Sequence, residues 1–161
     1  MKAPFPWFGG KSRAAEIIWS RFGGVNNYVE PFAGSLAVLL ARPHWPFAAT
    51  RVETVNDIDC YIANFWRAIQ ADPDAVCVAA DNPVNEADLH ARHTWLHQQA
   101  QRCEAIKTDP DWYDARVAGF WAWGLSCWIG DNFCRPNHQN SIHHLGDTGR
   151  GVNRKLPHLG D

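Results

Sequence analysis

Three absences sort this chain before any motif is read. No stretch approaches the ~20 apolar residues that a membrane helix requires; the longest uncharged run, Val117 to Gly130, stops at fourteen. The amino terminus, with Lys2, Pro4, Pro6 and Gly9-Gly10, lacks the apolar core of a signal peptide. Basic residues are not in excess: the formal net charge of -2 excludes a chain that coats nucleic acid or anionic membrane nonspecifically, so any DNA contact must be local. The five cysteines are odd in number and contain no C-x-x-C pair, which argues for reduced thiols instead of a disulfide scaffold. These absences lead to the expectation of a soluble, cytoplasmic protein without a membrane partner. Internal repeats and low-complexity tracts are missing too.

What is present fits one ordinary domain: 161 residues are enough to bury roughly two thirds of the unfolded surface. Tryptophan is abundant, with nine residues, of which Trp95, Trp112, Trp121, Trp123 and Trp128 crowd one stretch. Large aromatics at helical spacing usually pack a helix into its neighbours, so most of these belong to a core.

Periodicity organises the first half as an α/β unit. Ala15, Ile18, Trp19 and Phe22 recur on one helix face over 12–22, and Gly23-Gly24 stops that helix. Residues 27–31 read as a short strand, 35–42 as a helix broken by Pro43 and Pro46, 51–56 as a second strand, and 58–71 as a helix. Strand, helix, strand, helix implies a parallel sheet, whose ligand crevice lies beyond the carboxyl ends of the strands. Residues 85–106 and 111–129 predict two longer helices with no strand between them, and 130–161 reads as loop. The expected division is therefore an α/β part over 1–72, a helical insertion over 73–130 and a loop region over 131–161.

Three segments carry chemistry: Pro6-Trp7-Phe8-Gly9-Gly10-Lys11, then Tyr28-Val29-Glu30-Pro31-Phe32-Ala33-Gly34-Ser35, then Val55-Asn56-Asp57-Ile58-Asp59. The first offers an aromatic face and a cation on a glycine turn. In the second, a glycine between strand and helix lets the amides of Phe32, Ala33, Gly34 and Ser35 approach a ligand. The third ends a strand in carboxylates, and Asp57 is placed to accept hydrogen bonds from ribose hydroxyls. A cation at a helix start opposes the helix dipole, so Lys11 calls for an anionic partner such as a ligand carboxylate. Taken singly the pieces are ordinary. Trp7 also suits a helix-flanking staple, Lys11 a solvated helix start, and Asn56-Asp57 a simple turn.

In this order the trio resembles the Dam-type, D12-class adenine-specific DNA methyltransferases, closely over residues 5–59 and loosely beyond. The resemblance implies a Rossmann-like fold dependent on S-adenosylmethionine, with a partial parallel sheet and a helical insertion. It implies that Trp7 and Lys11 contact the cofactor, that Pro31, Phe32 and Gly34 shape its pocket, and that Asp57 binds it. Leu36 departs from the family pattern, which often has a second glycine there; a leucine is expected to restrict the approach of the cofactor tail. Later, 131–135 and 149–157 are similar to the stretches that form the family's DNA-contacting hairpin. That similarity implies contacts to double-stranded DNA from Asn132, Arg135, Arg150, Arg154 and Lys155. A charged surface loop without function would look the same.

The family's Asp-Pro-Pro-Tyr tetrad, which holds the target amino group and stacks on the flipped base, does not occur in the sequence. Asp109-Pro110-Asp111-Trp112 comes nearest, but it precedes a helix in the manner of a cap. The expectation is a truncated or split adenine-N6 methyltransferase, with a second chain supplying the catalytic segment and little activity in this chain alone. One alternative is a cofactor-fold remnant that binds DNA or protein. Another is a small zinc protein using Cys127, Cys134, His138 and His143, at a spacing that matches no common finger.

Overall fold

A computed structural model describes residues 1–43, 50–128 and 133–135, and the chain divides into two compact units, Met1–Ile58 and Asp59–Asp161.

The first unit holds helix α1 (Ala15–Phe22), strand β1 (Asn27–Glu30), a single helical turn α2 (Ala37–Leu40) and strand β2 (Val52–Val55). β1 and β2 pair in parallel with Asn27 opposite Val52 and Glu30 opposite Val55. Pairing sends Tyr28 and Glu30 inward, and Asn27 and Val29 outward. Trp19 organises the inner side: its indole N-H donates to the Val38 carbonyl at 2.6 Å, its ring lies 5.0 Å from that of Tyr28, and the Arg42 guanidinium covers it at 5.1 Å. Arg42 also pairs with Glu53 and caps the Val25 carbonyl, so a buried cation ties α2 to the start of both strands. Among the described residues the outer side has no such cover: Val29 is 64% and Val52 58% exposed.

The second unit is helical. It comprises α3 (Cys60–Ala71), α4 (Pro73–Ala80), α5 (Glu86–Cys103), which runs into a 3-10 turn (Glu104–Lys107), and α6 (Ala115–Cys127). Four caps set its boundaries. Asp59, Asp72, Asn85 and Asp114 each accept a backbone N-H from the first turn of the helix that follows, at 2.8 to 3.1 Å. Helix α4 is absent from the sequence-based expectation, because its small residues show no helical face; Asp72 with Pro73 at the first position is the capping signal that reveals it. Helix α6 is the hub, packing against α3, α4 and α5. Gly119 permits the α4 approach: a Cβ there would stand 2.5 Å from that of Ala79 and 2.6 Å from the Val76 carbonyl.

Trp121 and Trp123 are fully buried, and Trp121 stacks at 9° on Tyr61. Trp95 and Trp112 are half-buried. Buried Asn64 joins α3 to the start of α6 by a reciprocal pair, its Nδ2 donating to the Asp114 carbonyl at 2.9 Å and its Oδ1 accepting the Asp114 N-H at 2.7 Å. Packing thus groups α3 with the helices that follow it, whereas the sequence groups residues 58–71 with the strands that precede them. No helix among the described residues is long and apolar enough to cross a membrane.

Candidate functional site

The carboxyl end of β1 is shaped by a loop folded over the end of β2. Asn56 fastens it three times: its N-H donates to the Glu30 carbonyl at 2.9 Å, its carbonyl accepts the Ala33 N-H at 2.9 Å, and its Nδ2 donates to the Pro31 carbonyl at 3.1 Å. Asp57 adds a fourth tie, accepting the Gly34 N-H on Oδ2 at 2.9 Å. The amides of Ala33 and Gly34, which the sequence assigns to a ligand, are therefore used inside the protein.

Gly34 sits at φ +51, in the left-handed region, and the Trp7 indole lies directly over it. A Cβ at Gly34 would be 2.7 Å from the ring, so only glycine lets the aromatic wall close on the loop. Trp7 is itself held by a turn in which the Gly10 N-H donates to the Trp7 carbonyl at 2.9 Å. Lys11, next in the chain, sends its ammonium to the Phe32 carbonyl at 2.8 Å and to Glu30 Oε1 at 3.1 Å. The anionic partner that its position calls for is thus present within the protein as Glu30.

Trp7, Lys11, Pro31, Phe32, Gly34 and Asp57 are all joined through this one loop and its ties. Phe32 projects outward with 80% of its surface exposed. Lys11, Pro31 and Phe32, together with Glu30, also border an apolar cavity of about 440 Å³ floored by Ile18 and Tyr28. Trp7, Gly34 and Asp57 do not line that cavity.

Two residues quoted in the motifs, but given no role there, turn out to be structural keys. Asn56 reads in sequence as a turn former, yet it is the clamp of the loop. Glu30 is 4% exposed, and its Oε2 accepts the Tyr28 hydroxyl at 3.0 Å. Burial and this carboxylate neighbour push the Tyr28 phenol well above its ordinary range. The detectable signal for Glu30 was a charge at an inward position of a short strand, since such a group needs internal partners.

Leu36 explains the departure from the glycine pattern. Its φ of +55 lies in the left-handed region, at a cost of about 1–2 kcal/mol for a residue with a side chain. The side chain is buried, which offsets that strain.

Among the DNA-contact candidates, Arg135 is exposed. Asn132, Arg150, Arg154 and Lys155 lie outside the described residues, as do His138 and His143. Among the described residues no cluster of His, Cys, Asp and Glu is able to hold a metal. Burial raises the thiol of Cys127 to about 11 and that of Cys134 well above its usual range. The Asp109–Trp112 string is a turn that precedes α6, with Arg67 donating to the Asp109 carbonyl at 2.9 Å and to that of Trp112 at 3.2 Å.

The family model described as D12 class N6 adenine-specific DNA methyltransferase matches residues 7–124, from the Trp7 wall to the last turn of α6. The chain belongs to this family. Neither a curated protein nor a solved structure matches it significantly. The D12 match spans both compact units, so the helical unit belongs to the methyltransferase pattern as much as the strands do. D12 enzymes generally use S-adenosylmethionine, and the chemistry of this loop fits such a ligand: two carboxylates at the strand ends suit hydroxyls and a cation, and an exposed aromatic suits a nucleoside.

Proposed function

We propose that this chain binds S-adenosylmethionine at the β1 and β2 strand ends and serves DNA adenine-N6 methylation in the cytoplasm. The observation that carries this reading is the bond from the Gly34 amide to Asp57, which locks the loop with a carboxylate at its rim. In it, Asp57 positions the loop and presents its charge to ribose hydroxyls. Trp7 and Phe32 supply apolar walls, Pro31 and Gly34 set the loop's shape, and Lys11 balances the carboxylate charge. S-adenosylmethionine, when bound, supplies an electrophilic methyl group; the chain's own residues orient it and exclude water. Double-stranded DNA is met by Asn132, Arg135, Arg150, Arg154 and Lys155.

An Asp-Pro-Pro-Tyr tetrad is needed to hold the adenine amino group, and these 161 residues contain none. We assign it to a segment outside them, entering as a further strand of a Rossmann-like sheet. Support comes from β1, where the carbonyls of Asn26 and Glu30 bond to β2. Alternation then aims the carbonyls of Asn27 and Val29 at the opposite edge, which no strand pairs among the described residues.

Isothermal titration of the chain with S-adenosylmethionine checks the reading. Saturable binding that drops at least about tenfold in Asp57→Ala supports it. No heat from the wild-type chain would favour the other reading that the missing tetrad motivates, a fold remnant acting only as a DNA- or protein-binding module.

A further inference from the structure

The helical unit carries a groove of about 590 Å³ between α4 and α6 that the candidate site does not use. Ala75, Val78 and Ala79 line it from α4, and Ala115, Arg116 and Phe120 from α6. Val78 is 77% exposed, a branched apolar side chain left in water on an eight-residue helix. Asp74, Val78 and Asp81 recur at intervals of four and three, so they form one exposed ridge along that groove.

Among the described lining residues Arg116 alone is charged. Its guanidinium lies over the Trp95 ring at 4.9 Å and the Phe120 ring at 5.1 Å. Stacking of this kind steadies a guanidinium on its faces and leaves the N-H groups at its edge free to meet a carboxylate. Among the described residues none does, and Asp74 and Asp81 likewise have no cation beside them.

The spacing of these groups fits the face to itself. Helices α4 and α6 run in the same direction, since Gly119 faces Val76 and Ala79, and the Trp123 indole N-H donates to the Asn82 carbonyl at 3.0 Å. Arg116, one turn before Gly119, is therefore level with the first turn of α4, near Ala75. A twofold axis through Val78 exchanges a level one turn before it with the level one turn after it. Arg116 of one copy then meets Asp81 of the other, twice over.

We propose that this face pairs with a second copy of the chain about such an axis. The Val78 ridge of each copy enters the α4–α6 groove of the other, as ridges of one helix pack into grooves of its neighbour, and the two Arg116–Asp81 pairs set the register. A single patch that carries its apolar point at the centre and opposite charges at matched distances on either side is what an isologous contact requires. Helix α4 is only eight residues long, so the contact falls below the ~1,200 Å² of a stable interface and the dimer is a weak one, with a dissociation constant on the order of 100 µM. The inference is independent of the cofactor reading, and its failure leaves that reading untouched.

The test is analytical ultracentrifugation of the full chain from about 5 to 500 µM. The wild-type chain is expected to show a reversible monomer–dimer equilibrium in that range. Val78→Asp is expected to weaken it at least about tenfold, with unchanged far-UV circular dichroism because the side chain is exposed in the single chain. Arg116→Asp and Asp81→Arg each set two like charges together in their own dimers and are expected to weaken association about tenfold. Both changes suit their helix ends, an acid in a first turn and a base at a carboxyl terminus.

The decisive sample is the equimolar mixture of Arg116→Asp and Asp81→Arg, one of them carrying a fluorophore. Mixed dimers bring every reversed charge against an opposite one, so association is expected to return to within about threefold of wild type. A wild-type chain that stays monomeric at 500 µM overturns the proposal. So does a dimer that Val78→Asp leaves within about twofold, which assigns the contact to another face, and so does a mixture that associates no more tightly than its components.

Discussion

The two units solve opposite problems with the same tools. The helical unit buries the aromatic side chains and the amide at its centre, with Phe65, Trp121, Trp123 and Asn64 all at or near zero exposure. The strand unit buries a charge, Glu30, and leaves Val29, Phe32 and Val52 in solvent. A two-stranded sheet has little area with which to close a core. Its order comes instead from polar ties with fixed directions: Asn56 and Asp57 on the loop, Arg42 across both strands, and Lys11 on Glu30. The contrast teaches that the unit with the proposed binding loop is held by the same polar groups that the proposal assigns to a ligand, while apolar packing is concentrated in the unit without that loop.

The strongest way to break the comparison is Trp121→Ala. Removing a fully packed indole costs about 3–5 kcal/mol, and urea unfolding of the helical unit should show it; a cost below about 1 kcal/mol would mean that the aromatic core carries no special weight. Thiol chemistry sharpens the same point. Burial lifts Cys103 to about 12 and Cys127 to about 11, so at pH 8 the thiolate that reacts with a disulfide reagent is scarcer in the folded than in the unfolded chain by on the order of a thousandfold for Cys103 and a hundredfold for Cys127. Rapid native-state labelling of either would show that the helices open readily.

In the strand unit Asp57→Ala removes the acceptor of the Gly34 amide. A hydrogen bond to a charged group contributes about 1.5–3 kcal/mol, lessened here by partial exposure. The loss should appear as a lower urea midpoint together with faster amide exchange at Gly34, and unchanged exchange there would count against the loop lock. The smallest effect belongs to Val29→Thr on the outward side of β1, expected within about 0.5 kcal/mol because the side chain is exposed. A cost well above that would reveal that something covers this side of the sheet in solution.

Much of the local structure was legible from spacing. The positions of the two strands, the Ile62 and Phe65 face of α3 and the start of α5 near residue 85 are written in short-range pattern, because each depends on neighbours within one or two turns. Helix α4 escaped because its residues are small on every side and its contacts come from Gly119, about forty positions away. The candidate site was legible as a set of residues and not as a set of contacts. That Trp7, Lys11, Gly34 and Asp57 matter followed from their types and order. Which amide Asp57 would hold, and that Lys11 would face Glu30, depends on partners 23 and 19 residues apart in the chain.

The amino-acid sequence by itself determined the family, the parallel strand pair and the identity of the groups at its ends, since these follow from residue type, order and short-range period. Only the tertiary structure decided how those groups divide their hydrogen bonds: the loop amides turned onto Asn56 and Asp57, Leu36 forced left-handed and compensated by burial, and Glu30 divided between the Tyr28 hydroxyl and the Lys11 ammonium. The physical reason is that a hydrogen bond is fixed by distance and direction, and both are set where distant segments meet.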